Sequence, residues 1–334
     1  MRKLMMRVSG LVLAISLSST SWAGTTPVTG DTNSQLPSLS QAQAQHAVDS
    51  ELPPESTDLQ PLLQDLLPAA SQAKVGIYLY DRHSKRAWTL RDEPGYPLMS
   101  VFKLPQAVWY LSQVEQGVTR LSSRRQVHRA KLLQNTYSPM LTDYLRPEFD
   151  VTAQQLLRYS VSLSDNNAVD LLLAESGGAV ALQQFLRERG LQQTTIEVNE
   201  QQMHQQFSAQ YANHTKPSDL ALLLEQLAEG QLLTPLHQAL LWQWLTETPT
   251  GPKRVKAAIP SGSVWRHKTG TSGKADDGTI AAVNDIGLLQ LADGRQWLLV
   301  MLVKDSHFDY AETEALMAAL SKRLITELVQ APVN

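Results

Sequence analysis

Ser100-Val101-Phe102-Lys103-Leu104-Pro105 stands where the chain changes from strand-like to helix-like patterning. Upstream, Lys74–Tyr80 (KVGIYLY) and Ala87–Leu90 read as strands joined by a polar turn, preceded by leucines 59, 62, 63, 66 and 67 at helical spacing. Downstream, helical periodicity dominates to about Thr248, with helices expected over Gln106–Gln116, Ala153–Ser160, Ala168–Glu175, Gly178–Glu188, Ser218–Glu229 and Pro235–Leu245. Strands return at Val264–Thr269, Thr279–Leu291 and Trp297–Val303, and a last helix is expected from about Tyr310 to Val329. The order helix, strands, helical insert, strands, helix predicts an α/β (α+β) chain. Strands from both ends would form one antiparallel sheet flanked by the terminal helices, and the insert would form an all-α lobe. A cleft between two such lobes is a common place for a site.

The quoted stretch carries chemistry as well as a boundary. Residues three apart share a helix face, so Ser100 and Lys103 can meet. Pro105 is tolerated only near a helix start, which puts Ser100 at the N-terminal end, where free N–H groups favour negative charge. A serine hydroxyl becomes a nucleophile when a base takes its proton, and a lysine can be that base. By itself the pattern reads more readily as a serine cap followed by a surface lysine. Two further motifs follow in order: Ser164-Asp165-Asn166 after a helical stretch, and Lys268-Thr269-Gly270 in an expected strand. Each alone could be a cap or a strand end. The ordered trio S-x-x-K, S-D-N and K-T-G is a known signature of serine enzymes that react with β-lactams.

With these motifs, residues 58–330 resemble class A β-lactamases, most closely the PER/VEB-like extended-spectrum branch. The closer likeness lies in Asn199-Glu200-Gln201-Gln202-Met203-His204, Gln210-Tyr211-Ala212-Asn213, Pro249-Thr250-Gly251-Pro252-Lys253-Arg254, His267-Lys268-Thr269-Gly270-Thr271-Ser272-Gly273 and Val303-Lys304-Asp305-Ser306. The resemblance implies the two-lobed penicillin-recognising fold, with a sheet lobe over about 58–98 and 255–330 and a helical lobe over about 99–254. It also implies the site. Ser100 would attack the lactam carbonyl, and either Lys103 or Glu200 would act as base for acylation. Ser164 would relay a proton to the leaving nitrogen, assisted by Lys268. Backbone N–H groups of Ser100 and Thr271 would form the oxyanion hole. Asn166, Thr269, Gly270, Thr271, Arg254, Tyr137 and His204 would contact or border the substrate, with Arg254 binding its carboxylate because no arginine occurs between Lys268 and Arg295. Glu200 would activate water to release the acyl-serine ester. Two departures stand out. His204 replaces the asparagine common four residues after the catalytic glutamate, and Val198 and Asn213 replace the arginine–aspartate pair that braces the loop in most relatives. A differently folded or looser loop is expected, with room for bulky oxyimino-cephalosporins.

Composition bounds the alternatives. A net charge of −3 argues against a nucleic-acid partner, and the cluster Arg120, Arg124, Arg125 and Arg129 reads as a solvated face. Arg2, Lys3 and Arg7, the apolar run Val8–Leu17 and Ser21-Trp22-Ala23 read as a signal peptide over 1–23, cleaved near Ala23. Residues 24–57 read as a mobile lead-in. Without cysteine the exported chain forms no disulfide and carries no lipid on a thiol. The expectation is a periplasmic enzyme, monomeric by default, acting on small-molecule β-lactams with no membrane anchor in its mature form. No cofactor and no metal are expected, since His204, His214 and His267 lack metal-ligand spacing. A D,D-peptidase or penicillin-binding protein, and a non-hydrolytic β-lactam sensor, remain as alternatives that share the nucleophile.

Overall fold

A computed structural model describes residues 52–69 and 71–330. The stretches expected to form a signal peptide and most of the lead-in lie outside these residues. The main sheet has six strands in the order β1-β3-β2-β10-β9-β8. They are β1 (Thr57–Asp58), β2 (Lys74–Asp81), β3 (Arg86–Leu90), β8 (Val264–Thr271), β9 (Ile280–Gln290) and β10 (Gln296–Ser306). Short pairs β4 (Tyr96–Pro97) with β7 (His214–Thr215), and β5 (Arg124–His128) with β6 (Glu148–Thr152), lie between in sequence. All main-sheet neighbours are antiparallel except β1 with β3. Thr57-Asp58 therefore already belongs to the sheet, and Leu52 packs on the core, so ordered structure starts ahead of the expected boundary at 58.

Ten α-helices surround the sheet among the described residues: α1 (Gln60–Leu63), α2 (Lys103–Glu115), α3 (Pro139–Asp143), α4 (Ala153–Val161), α5 (Asn166–Glu175), α6 (Gly178–Glu188), α7 (Glu200–Met203), α8 (Pro217–Ala228), α9 (Pro235–Thr246) and α10 (Tyr310–Leu324). The last runs on into one wide turn over Ile325–Val329. Strand β10 explains why the sheet strands are apolar throughout. Leu298, Val300 and Leu302 face the helical region, while Trp297, Leu299, Met301 and Val303 face α10 and the leucines of 59–67. Both faces are covered, so period-two patterning vanishes even though the pleat remains. The helical region and one sheet face share a single continuous apolar cluster, running from Tyr78 and Val300 to Leu172 and Leu224.

Two expectations need correction. The first helix is one turn long, because Pro68 disfavours helical geometry at Leu67 and the chain closes through Leu66 and Leu67 onto the Leu63 carbonyl. The arginine cluster is not all solvated. Arg125 pairs with Glu175 and donates to Tyr110, and Arg129 donates to the carbonyls of Leu141 and Tyr144, tying the β5–β6 pair to its surroundings.

One contact sets the distance between β8 and the segment entering α2. A Cβ on Gly270 would stand 2.6 Å from the Leu98 carbonyl oxygen and 3.2 Å from the Met99 Cβ. Only glycine permits that approach. Gly270→Ala is expected to cost about 1–3 kcal/mol through backbone displacement, read as a lowered urea midpoint.

Candidate active site

Ser100 lies in a 3-10 turn, Met99–Phe102, that feeds directly into α2. Pro105 falls in the first turn of that helix, where its missing N–H is harmless. Met99, just before the serine, has φ +45, and Asn284 holds the chain behind it by donating to the carbonyls of Pro97 (2.7 Å) and Leu98 (3.1 Å). Lys103 is fully buried. Its Nζ lies 2.9 Å from Ser100 Oγ, 2.8 Å from the Ser164 carbonyl, 2.5 Å from Asn166 Oδ1 and 2.9 Å from Glu200 Oε1. Four oxygens thus surround an ammonium with three protons. Ser100 Oγ alone among them carries a proton of its own, so the geometry also accommodates an amine that accepts from the serine.

The three residues of the S-D-N motif do three different jobs. Ser164, at φ +58, turns its carbonyl to Lys103 and its hydroxyl to Lys268, whose Nζ donates to it at 2.8 Å. Asp165 caps α5 by accepting from the Ala168 N–H (2.8 Å), and its other oxygen accepts from Ser138 Oγ and the Met140 N–H. Asn166 reaches Lys103 with its oxygen and donates from Nδ2 to Thr136 Oγ1 (2.7 Å).

Glu200 opens α7, a one-turn helix capped by a reciprocal Asn199–Gln202 box. The helix is held from α5: Asp170 accepts from the N–H groups of Glu200 (2.8 Å) and Gln201 (2.9 Å). Desolvation is the main cause that raises the Asp170 carboxyl, to about 6, opposed by those two N–H bonds. The two ends of the segment carrying α7 are tied together. Asn213, fully buried, accepts from the N–H groups of Glu197 (2.8 Å) and Val198 (3.0 Å) and donates to the Val198 carbonyl (2.8 Å). Where an arginine–aspartate pair was missed in the sequence, an amide clamps the same two strands of loop. Neither Asp170 nor the Asn213 clamp was legible beforehand. A polar residue one turn after Asn166 was the only available signal for the first.

On the opposite wall, β8 presents Lys268, Thr269 and Thr271. Burial first, then repulsion from Lys103, holds the Lys268 amine well below the ordinary lysine range. Thr269 Oγ1 lies 2.6 Å from Thr250 Oγ1. Arg254 is 5% exposed and largely engaged: Nε pairs with Glu314 (3.0 Å), Nη1 donates to the carbonyls of Gly270 and Asn284, and Nη2 donates to Thr271 Oγ1 (2.6 Å). It brings positive charge to the site and orients Thr271. Gly270 packs its backbone against Leu98 and Met99.

These groups converge on one cavity of about 640 Å³, lined by Ser100, Ser164, Asn166, Glu200, Thr269, Thr271 and Arg254, with Tyr137 and His204 at its rim. Tyr137 is 57% exposed there. No cluster of three metal-binding side chains occurs among the described residues. A buried lysine touching a serine, a second lysine on a bridging serine and a carboxylate at the first lysine define a serine hydrolase that works by acyl transfer. Residues 58–328 match the model of the beta-lactamase enzyme family, and the chain belongs to that family. It is 40% identical to the extended-spectrum beta-lactamase PER-1 of Pseudomonas aeruginosa over 80% of this chain and 88% of that one. To the beta-lactamase VEB-1 of the same organism it is 30% identical, over 76% and 85%. The crystal structure of a beta-lactamase from Chitinophaga pinensis superposes with a TM-score of 0.75 at 30% identity, covering 79% of this chain and 97% of that one.

The Asp170 carboxyl gives a signed pH prediction. Its folded value, about 6, lies above the unfolded 3.8, so the native state binds more protons between them. The group's contribution therefore favours folding as pH falls from about 6 towards 4, by at most about 3 kcal/mol. Urea midpoints of the wild type should rise relative to Asp170→Asn across that window, and a pH-independent difference would contradict the assignment.

Proposed function

We propose that Ser100 opens the lactam ring of penicillins and cephalosporins and that Glu200 directs the water that frees the acyl-serine. The observation carrying this reading is the position of Lys103 Nζ, 2.9 Å from both the Ser100 hydroxyl and the Glu200 carboxylate. Either Lys103 or Glu200 can receive the serine proton, since each is one contact from the other. Lys268 and Ser164 form the path back to the leaving nitrogen, 2.8 Å apart. The backbone N–H groups of Ser100 and Thr271 serve the developing oxyanion, each worth about 3 kcal/mol in the transition state. Thr269 and Thr271 receive the substrate carboxylate, with Arg254 supplying charge through Thr271.

A transpeptidase acylated by a β-lactam can leave that ester intact, so a buried carboxylate beside the base favours hydrolysis over that alternative and over a sensor. The substrate range extends to oxyimino-cephalosporins. Support comes from the likeness to PER-1 and from the open cavity bordered by Gln206, Phe207 and Gln210. The N-terminal pattern of charge and apolar residues supports export to the periplasm with cleavage near Ala23, and the working unit is a monomer. No helix of the described residues is long and apolar enough to cross a membrane.

Ser100→Ala should form no covalent adduct with nitrocefin. Glu200→Gln should acylate and then stall, leaving the acyl mass on the protein by mass spectrometry. Wild-type turnover in Glu200→Gln would remove the deacylating role. Steady-state kinetics on ceftazidime and cefotaxime test the substrate range: rates no better than a narrow-spectrum penicillinase would exclude it.

A further inference from the structure

His204 stands four residues after Glu200, facing the rim rather than the reacting atoms. Its Nδ1 lies 2.7 Å from the Glu200 carbonyl, and its Nε2 lies 3.0 Å from Thr136 Oγ1. Thr136 Oγ1 accepts from Asn166 Nδ2 at 2.7 Å, and Asn166 Oδ1 faces Lys103 Nζ at 2.5 Å. For an uncharged imidazole the polarity of this chain follows link by link. A carbonyl oxygen only accepts, so Nδ1 carries the imidazole proton. With the ring uncharged, Nε2 is bare and can only accept, so the Thr136 hydroxyl donates to it. Having used its single proton there, Thr136 can only accept from Asn166. The amide must then turn its NH2 to Thr136 and its oxygen to Lys103.

We infer that His204 is a positioning residue which, through Thr136, locks the Asn166 amide with its oxygen toward Lys103. This deepens the reading of Lys103 as a base and rests on it. The value of the lock appears when Lys103 is an uncharged amine, as it must be to take a proton from Ser100. Such an amine has one lone pair. A reversed amide would donate an N–H to that lone pair and compete with the Ser100 hydroxyl for it. With the oxygen held inward, Asn166 only accepts, and the lone pair is left for Ser100. No proton moves along the chain in this role; it fixes orientation alone. The frame around it is firm. The loop bearing Thr136 is tied to α5 by Leu133, whose N–H and carbonyl both bond the Asn167 amide (2.9 and 3.0 Å), and by the Asn166 N–H donating to the Tyr137 carbonyl.

The test uses kcat/KM for nitrocefin on the purified full chain, since this ratio reports steps up to acylation. Thr136→Val is nearly isosteric but lacks the hydroxyl, and should lower kcat/KM about tenfold or more, the worth of about one lost hydrogen bond. Thr136→Ser keeps the hydroxyl and should stay close to wild type. His204→Phe should reproduce the loss, and Thr136→Val combined with His204→Phe should be no worse than either alone, because both cut one chain. Thermal midpoints recorded alongside separate this from general destabilisation, which Thr136→Ser would not selectively repair. Additive losses, or wild-type kcat/KM in Thr136→Val, would overturn the lock. Undiminished nitrocefin cleavage by Lys103→Ala would instead overturn the reading of Lys103 on which the lock rests.

Discussion

A lysine with no exposed surface governs the architecture. Removing an ammonium group from water costs several kcal/mol unless opposite charge and hydrogen-bond acceptors replace the solvent. Lys103 obtains them from the nucleophile turn, the link before α5, α5 itself and α7. Each of these elements must hold its register against one nitrogen atom. Helix α5 does most of the aligning. Asn166 and Asp170 are one turn apart on the same face, the first on Lys103 and the second on the two N–H groups that open α7. The spacing of the two candidate bases is thereby set by the pitch of a helix, which is far stiffer than the loop that carries Glu200.

The charge balance follows from that arrangement. Lys103 and Lys268 are both fully buried within one cleft, and Glu200 is the carboxylate in contact with the first. Arg254 adds a third cation, partly offset by Glu314. Burial first, and repulsion from Lys103 after it, depress the Lys268 amine. Cations held in low-dielectric surroundings attract an anion, and their pull strengthens as water is displaced. A carboxylate on the ligand and an oxyanion in the transition state would both meet Lys268 and Arg254 there, while Glu200, Asp165, Asp170 and Asp285 offset part of that charge.

Much of this was readable from sequence, for a physical reason. Long periodic segments declare themselves: the helices over 153–161, 178–188 and 235–246 and the strand over 264–271 stand within two residues of expectation, and the strand over 296–306 within three. The three motifs are short because each serves one local backbone geometry. What escaped notice joins residues far apart in the chain. Asp170 to Glu200 spans thirty positions, and Asn284 to Pro97 spans 187. No local pattern distinguishes Asp170 from any polar residue on a helix, nor Asn284 from an interruption in an apolar strand. The β5–β6 pair was hidden for another reason. Its alternation of Phe149 and Val151 with Glu148 and Asp150 is clear, but the partner strand begins with two arginines that suggest a solvated surface.

The strain near the nucleophile and the choice of clamps are connected. Met99 and Ser164 both lie in the left-handed region, each at a cost of about 1–2 kcal/mol for a residue with a side chain. Something rigid must hold them, and the groups that do so next to the reacting centre are largely neutral or cap-like: Asn284 behind Met99, Asp165 after Ser164, Asn213 behind the Glu200 segment. An amide such as Asn213 satisfies two donors and one acceptor without the desolvation penalty of a buried ion pair. It also adds no field of its own. An arginine–aspartate brace at that place would put two more full charges close to Lys103 and Glu200. Asn284 and Asn213 therefore leave the electrostatic field of the cleft to its cations and to the carboxylates of Asp165, Asp170 and Glu200, the first two of which Lys103 attracts.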